Sequence, residues 1–185
     1  MQVRHSHFLL SRVVGLLAVP AVGLAMTACS PGASSAKREY AVPSSLCGTP
    51  VPASALEPLL PAGKKISSRK SGSPGYARCQ VSVDGQLVLS SIIERWQPRT
   101  TLSNVAFGTY GLTAASIKME AQRFIVSESA AVERVDCNPK RKDAAEVFTV
   151  IRKHHDSVDA AAMEKAIAEF ADAASTSAEC TEKDT

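Results

Sequence analysis

Four cysteines, spread over the last three quarters of the chain, constrain its fold more than any other feature. They are Cys47, Cys79, Cys137 and Cys180, and a fifth cysteine, Cys29, lies near the N-terminus. No two of them form a Cys-x-x-Cys pair, and their wide spacing argues against a zinc site, whose ligands come in closer pairs. In an exported protein an even set of four predicts two disulfide bonds, for which three pairings exist.

The N-terminal segment has the parts of an export signal. Arg4 and Arg12 give it a basic start, Val13–Met26 is an apolar stretch of about 14 residues, and small residues precede Cys29. The apolar stretch is shorter than the ~20 residues that a membrane-spanning helix needs. Residues 1–28 are therefore predicted to be a signal peptide that is removed on export.

The end of this segment, Leu24–Cys29, resembles the lipobox of bacterial lipoproteins. In that family the cysteine is acylated and becomes the first residue of the mature protein, so the resemblance implies lipidation of Cys29. The alternative is an ordinary secreted protein that is cleaved near Ala28. Because two acyl chains hold a protein stably on a bilayer, the resemblance implies a location on the outer face of the cell membrane.

The charge of the mature chain argues against one class of partner. The whole chain has 21 Lys and Arg residues and 18 Asp and Glu residues, and the signal peptide holds two of the basic residues and none of the acidic ones. The mature chain therefore has a net charge of only +1. A nearly neutral chain gives no basis for nucleic-acid binding, so membrane contact is expected through the lipid anchor instead.

Composition divides the mature chain into a tether, one domain and a short tail. Residues 29–45 are rich in Ser, Ala and Pro and lack apolar periodicity, which predicts a flexible tether. Residues 46–181 predict a single disulfide-stabilised domain, a length that suits one hydrophobic core. Residues 182–185 are expected to fray.

Periodicity within the domain predicts an α+β fold. The strongest signal is a β-hairpin, in which Tyr76–Val83 and Gln86–Arg95 alternate in polarity around the turn pair Asp84-Gly85. Residues Asp159–Ala174 have the i, i+3, i+4 apolar spacing of an amphipathic helix. Weaker patterns predict a short helix at Ala53–Leu60 with a Ser54–Glu57 capping box. An extended piece at Lys65–Arg69 and a loop at Ser71–Gly75 are expected to follow it. Further along the chain, the patterns predict a second hairpin from Gln122–Val126 and Ala131–Cys137 and a strand at Ala145–Arg152.

Together these elements predict five or six mostly antiparallel strands, packed by the long C-terminal helix and the short N-terminal helix. In that arrangement the pairings Cys47–Cys79 and Cys137–Cys180 each join neighbouring elements and are favoured. Residues 97–120 break every period yet carry large apolar side chains. This insertion is either packed across the sheet or shaped around a partner.

The sequence contains no recognisable catalytic or metal-binding motif, so we expect neither an enzyme nor a cofactor or metal. His154 and His155, the histidines that remain after processing, are adjacent and point in different directions, which predicts a solvated turn. There is no Gly-x-Ser-x-Gly motif, and acidic pairs such as Glu128 and Glu133 lie in polar surroundings. A hydrolase without a recognisable motif is the least favoured function.

One cluster has the residue types of a recognition surface. Trp96, the only tryptophan, stands between Arg95 and Arg99, and Phe107 and Tyr110 follow closely in sequence. Aromatic and arginine side chains dominate binding hot spots, so these five residues are the predicted partner-binding surface. The alternative is a half-buried Trp96 that closes one end of the core.

The chain as a whole resembles a family of actinobacterial, Streptomyces-type lipoproteins. The resemblance rests on Leu24–Cys29, Val42–Gly48, Arg78–Val81, Val135–Cys137 and the helix that ends at Cys180. It implies an exported, lipid-anchored protein without an established activity. We expect a non-enzymatic binding or accessory module of the cell envelope, whose partner is an envelope protein or a small apolar ligand. The alternative is a carrier that holds an apolar small molecule or lipid in a pocket between helix and sheet.

Overall fold

The computed structural model describes residues 37–113, 118–120, 123–137 and 145–181, with the backbone alone for 118–120. The signal peptide, Cys29 and the tail 182–185 lie outside the described residues. Among the described helices, none has both the length and the apolar character needed to cross a bilayer.

Within the described residues, an antiparallel sheet of seven strands forms the centre of the domain. In chain order its strands are β3 (Ile66–Ser73), β4 (Tyr76–Val83), β5 (Gln86–Trp96), β6 (Lys118–Glu120), β7 (Phe124–Val126), β8 (Ala130–Arg134) and β9 (Glu146–Lys153). Their spatial order is β3-β4-β5-β9-β8-β7-β6. A separate ribbon pairs β1 (Ser45–Leu46) with β2 (Thr49–Pro50). The predicted α+β class is confirmed, and the short edge strand β6 adds one strand to the expected number.

The hairpin of β4 and β5 forms where the sequence predicts it. Asp84 and Gly85 both have positive φ values, 50° and 83°, as the predicted tight turn requires. The Asp84 carboxylate also accepts hydrogen bonds from the backbone N–H groups of Lys64 and Lys65, at 2.8 Å for the latter. These bonds lower the pKa of Asp84 and tie the turn to the chain that enters β3.

The predicted loop at Ser71–Gly75 is wrong, because β3 continues to Ser73 and turns back at Pro74-Gly75. Gly75 makes this turn with a φ of 76°. Strand β3 is the edge of the sheet, and only Ile66 of its residues is partly buried. An exposed edge strand needs no apolar alternation, so polarity gave no sign of it.

The α-helices in the described part of the chain are α1 (Ala53–Leu56), which a 3₁₀ turn at Glu57–Leu59 follows, α2 (Ala160–Ala174) and α3 (Ala178–Thr181). The side chain of Asp159 caps α2 by accepting the N–H of Ala161 at 2.9 Å. The predicted capping box of α1 does not form, because Pro52 occupies the N-cap position.

Helix α2 packs on one side of the sheet, which we call the helix side. Its buried stripe consists of Met163, Ala166, Ile167, Phe170, Ala171 and Ala174, in agreement with the predicted amphipathic pattern. One polar link crosses this contact: Arg123 donates to Glu133 on β8 at 2.5 Å and to Asp172 on α2 at 2.8 Å. Glu133 is fully buried, and burial raises the pKa of its carboxyl.

The disulfide pairing favoured by the sequence is confirmed. Cys47 bonds to Cys79, with 5.6 Å between their Cα atoms, and so joins the β1–β2 ribbon to β4. Cys137 bonds to Cys180 across 5.3 Å and holds α3 to the chain that leaves β8. Both Cα distances lie in the ordinary range for a disulfide. Such bonds indicate a domain that matures outside the reducing cytoplasm.

The opposite side of the sheet, which we call the second side, is covered over only part of its width. A π-helix at Asn104–Thr109 places Val105 and Ala106, both fully buried, against the strands there. They pack with Leu112, Ile92, Ile125, Ala130, Val132, Phe148 and Val150. The insertion is therefore packed across the sheet, which is the first of its two predicted forms.

Packed contacts of the domain begin before Leu46. The side chain of Arg38 donates to the backbone carbonyls of Glu57 and Leu60, at 2.9 and 2.5 Å. Tyr40 and Val42 pack against the helix-side core. The last residues of the predicted tether thus lie on the domain, which leaves a shorter segment between Arg38 and Cys29.

Candidate functional site

The structure does not bring the five residues of the predicted partner-binding surface together. Consecutive side chains of a strand point to opposite sides of the sheet, so Arg95 and Trp96 on β5 face in opposite directions. Trp96 is half-buried on the second side, where it packs against the core under the insertion. The backbone N–H of Arg95 pairs with the Gly75 carbonyl at 2.8 Å, and its guanidinium lies beside Gly75.

Trp96 and Tyr110 do meet, around the buried carboxylate of Glu94. The hydroxyl of Tyr110 donates to Glu94 Oε1 at 2.9 Å. Burial raises the pKa of Glu94, and the neighbouring Tyr110 hydroxyl and Trp96 indole partly offset that effect. Burial and the Glu94 charge together raise the pKa of Tyr110. These contacts make the pair part of the core, so the half-buried alternative for Trp96 describes its position.

The other two predicted residues are exposed around this cluster. Phe107 is 36% exposed on the outer side of the π-helix. Arg99, with a φ of 69°, lines a shallow groove of about 940 Å³ together with Arg123, Arg134, Asp136 and Glu146. Arg123 is paired with two carboxylates, and two further acids line the groove. The charge of the groove is therefore mixed and favours neither an anionic nor a cationic ligand.

A different set of residues converges where the second side is uncovered. Directly paired residues of neighbouring strands share one side, and the register joins Arg69 to Gln80, Gln80 to Ser90 and Ser90 to Arg152. Arg78 lies on the same side, two residues before Gln80 on β4. We call the group formed by Arg69, Arg78 and Arg152 with Gln80, Ser90 and His154 the arginine face.

His154 sits at the end of β9 over this face. Its backbone N–H pairs with the Val88 carbonyl at 3.1 Å, and its Nε2 lies 3.0 Å from the Ser90 hydroxyl. Burial, Arg152, Arg78 and His155, in that order, lower the pKa of His154. The predicted turn exists, but the His154 side chain is hydrogen-bonded to Ser90 of the sheet as well as exposed to solvent. Arg152 lies two residues before His154 on the same side of the sheet, and Arg78 lies on that side two strands away.

Among the described residues of its strands, the arginine face has no acidic side chain beside it; Glu146, on the second side of β9, lies at the opposite end of that strand from Arg152 and pairs with Trp96. Strands β3, β4 and β5 are described in full, and Glu94 is the only acidic residue on their second side. That carboxylate is 8% exposed and is already bonded to Tyr110. The Nε of Arg78 is buried and has no hydrogen-bond partner among the described residues. Unpaired guanidinium groups that share one place favour an anion between them.

On the helix side, a cavity of about 260 Å³ lies between the sheet and the C-terminal helices. The Cys47–Cys79 disulfide, Ile93 and Phe170 line it, and so do the hydroxyls of Ser91 and Ser177, which are buried and have no partner among the described residues. Ligand pockets for small organic molecules usually measure about 300–1,000 Å³. The cavity is thus suited to ordered water or a very small molecule rather than to a lipid.

In the described parts of the chain, no group of three or more His, Cys, Asp and Glu side chains is placed to hold a metal ion.

The arginine face has one signal in the sequence. Arg78, Gln80 and Ser82 occupy alternate positions of the predicted strand β4, so their shared side could be read as polar. The rest of the face comes largely from β5 and β9, which follow β4 in the sheet but whose paired residues are about 60 residues apart in the sequence. Pairing over such a separation leaves no local pattern. The sequence therefore did not indicate that Ser90, Arg152 and His154 lie together.

Comparisons with known proteins return no match, whether to family models, to curated proteins or to solved structures.

Proposed function

We propose that the chain is a membrane-anchored extracytoplasmic lipoprotein that acts as a non-enzymatic binding module of the cell envelope. We further propose that the arginine face is the surface that contacts its ligand, and that the ligand is anionic. The resemblance of Leu24–Cys29 to a lipobox supports the anchor, and the two disulfides support export. The observation that carries the binding role is the placement of Arg69, Arg78 and Arg152 on one side of neighbouring strands, where the buried Nε of Arg78 has no partner among the described residues.

The anchor is tested by removing the acylated cysteine. We expect Cys29→Ala to release the protein from the membrane fraction into the medium, because the chain then lacks its acyl chains. Ser30→Ala, a change of the next residue, serves as the matched control and should stay with the membrane. Equal membrane retention of the two variants, measured by fractionation and immunoblotting, would contradict the anchor.

The binding surface is tested with the full chain, purified in a nonionic detergent, and two oligoanions, oligophosphate and oligoglutamate. The double variant Arg78→Gln/Arg152→Gln should bind at least one of them about 10-fold or more weakly than the unchanged protein, because hydrogen bonds to charged groups are lost. Arg99→Gln removes an exposed arginine outside the arginine face and should bind both unchanged. If the double variant and the control bind alike, the surface is misassigned.

One observation favours a second candidate function, a hydrolase. Ser90 and His154 approach each other at 3.0 Å, the distance expected of a nucleophile and its base. However, Ser90 is 2% exposed, and no carboxylate of the described residues is among the groups that shift the pKa of His154. Such a serine is poorly placed to reach a substrate. Hydrolysis of p-nitrophenyl acetate that Ser90→Ala abolishes would support this candidate over the binding role.

A further inference from the structure

The arginine face is suited to one kind of anion in particular. We infer that it binds a phosphate monoester of a polar, water-soluble molecule, held between Arg78 and Arg152 with His154 as a third contact. This inference rests on the proposed binding function and names the chemical class of its ligand.

The two arginines converge on one place although they stand on different strands. Arg152 on β9 is paired with Ser90 on β5, and Arg78 on β4 is paired with Ile92, two residues further along β5. Strand spacing and rise put their Cα atoms about 12 Å apart. Both nevertheless stand on the second side of the sheet and flank Ser90, whose hydroxyl lies at hydrogen-bond distance from the His154 imidazole. An anion above Ser90 would therefore be reached from both sides.

The number and direction of the donors match a phosphate better than a carboxylate. One guanidinium fork satisfies both oxygens of a carboxylate, which leaves the second arginine and the imidazole unused. A phosphate monoester offers three terminal oxygens and a charge of about −1.5 to −2 at neutral pH, so it can engage all three groups. A phosphate diester has only two such oxygens and a single charge.

The surroundings of the arginine face indicate a polar ligand. The residues on the same side of β3 and β4 include Ser67, Ser71, Gln80 and Ser82, none of which is apolar. Gln80 accepts a hydrogen bond from Arg69 at 3.0 Å. The apolar side chains that β5 adds on this side are Leu87 and the buried Ile92, so an acyl chain would find little apolar surface beside this part of the sheet. We therefore assign the phosphate to a soluble molecule rather than to a lipid headgroup.

Ser90 is a positioning residue in this arrangement. It is 2% exposed, so it contacts the ligand little, and its hydroxyl instead fixes the exposed imidazole of His154 over the sheet. The groups that face His154 are Ser90, Arg78, Arg152 and His155. A bound phosphate would offset the arginine charges that lower the pKa of His154, so binding should raise that pKa.

The experiment uses calorimetric titration of the full chain in detergent with methyl phosphate, dimethyl phosphate and acetate. Methyl phosphate should bind about 10-fold or more tightly than either of the others. Arg78→Gln and Arg152→Gln should each weaken its binding about 10-fold or more, whereas the control Arg99→Gln should leave it within about twofold. Equal thermal midpoints of the three variants would show that a loss of binding is not a loss of folding.

A second readout follows the imidazole proton of His154 by NMR. Saturation with methyl phosphate should raise the pKa of His154 in the unchanged protein and in Arg99→Gln. An unchanged pKa in the phosphate-bound protein would overturn the third contact and with it the inference.

The remaining outcomes separate the inference from the proposed function. If acetate or dimethyl phosphate binds as tightly as methyl phosphate and Arg78→Gln still abolishes binding, the phosphate assignment is wrong and the binding module stands. If the Cys29→Ala variant, which lacks the proposed anchor, binds vesicles that contain phosphatidic acid but not methyl phosphate, the soluble ligand is wrong. If the arginine variants bind every anion as tightly as the unchanged protein does, the phosphate ligand and the assignment of the arginine face as the binding surface are both wrong.

Discussion

The second side of the sheet has two halves that are built from the same antiparallel strands but differ in their cover. Over β8 and β9 the insertion places Val105, Ala106 and Leu112 on an apolar surface that includes Phe148. Over β3, and over β4 from Arg78 to Ser82, the side chains are serine, glutamine and arginine, and the structure places no described element on them; Tyr76, at the start of β4, packs with the covered half. Burying such groups without partners would cost free energy, so this half remains open unless a ligand supplies partners.

The largest expected effect separates the two halves by stability. Phe148→Ala removes a fully buried ring from the covered half and should lower the free energy of unfolding by about 3–5 kcal/mol. Arg69→Gln, in the open half, should change it by no more than about 0.5 kcal/mol. Urea unfolding of both variants measures the difference. Similar losses would show that the open half also contributes to the core.

A smaller effect is expected at the border between the halves. Tyr110→Phe removes the hydroxyl that donates to Glu94 Oε1 and leaves that buried carboxylate without its donor. We expect a loss of about 1–3 kcal/mol in the free energy of unfolding. Glu94→Gln and the double variant complete a double-mutant cycle. A coupling free energy near zero would mean that the hydrogen bond does not hold the insertion in place.

The smallest effect concerns how stability depends on pH. It comes from Glu133, an ionisable side chain that is buried on the helix side of the sheet. Burial raises the pKa of Glu133, so the folded state binds its proton more tightly than the unfolded state does. The stabilisation from this proton is complete below the unfolded pKa of about 4.5 and is lost as the pH rises through the folded pKa.

Glu133→Gln removes this titration. The stability of the variant relative to the unchanged protein should therefore increase between pH 4.5 and pH 7.5. Urea unfolding at the two pH values tests this, and Glu128→Gln, which changes an exposed acid of the neighbouring turn, is the control. A relative stability that falls over the same range would show that the Arg123 ion pair outweighs the cost of burial.

Local patterns in the sequence predicted the elements whose signals lie within one segment. The hairpin around Asp84-Gly85 and the stripe of α2 follow from alternation and helical spacing, and both are confirmed. The end of β3 was missed because an edge strand can be polar throughout. The insertion carried the right residues for a core, but its π-helix has no sequence period of its own.

The candidate site could not be predicted for a related reason. Its members come from β3, β4, β5 and β9, and only the strand order brings Arg78 and Arg152 to the same side of the sheet around Ser90. Trp96 and Tyr110 belong to the partner-binding surface that the sequence predicts. Both are aromatic, and aromatic side chains also pack well in a core, which is where these two lie. Residue type alone does not separate these two uses.

The contacts of Arg38 determine where mechanical load would enter the domain. Arg38 lies nine positions after Cys29, so the chain between the proposed anchor and the first packed contact would span about 30 Å if it were fully extended. Tension from the membrane would first break the hydrogen bonds of Arg38 to Glu57 and Leu60 and the pairing of Glu39 with Gly63. Peeling would then stop at Cys47, whose covalent bond to Cys79 transfers the force directly to β4.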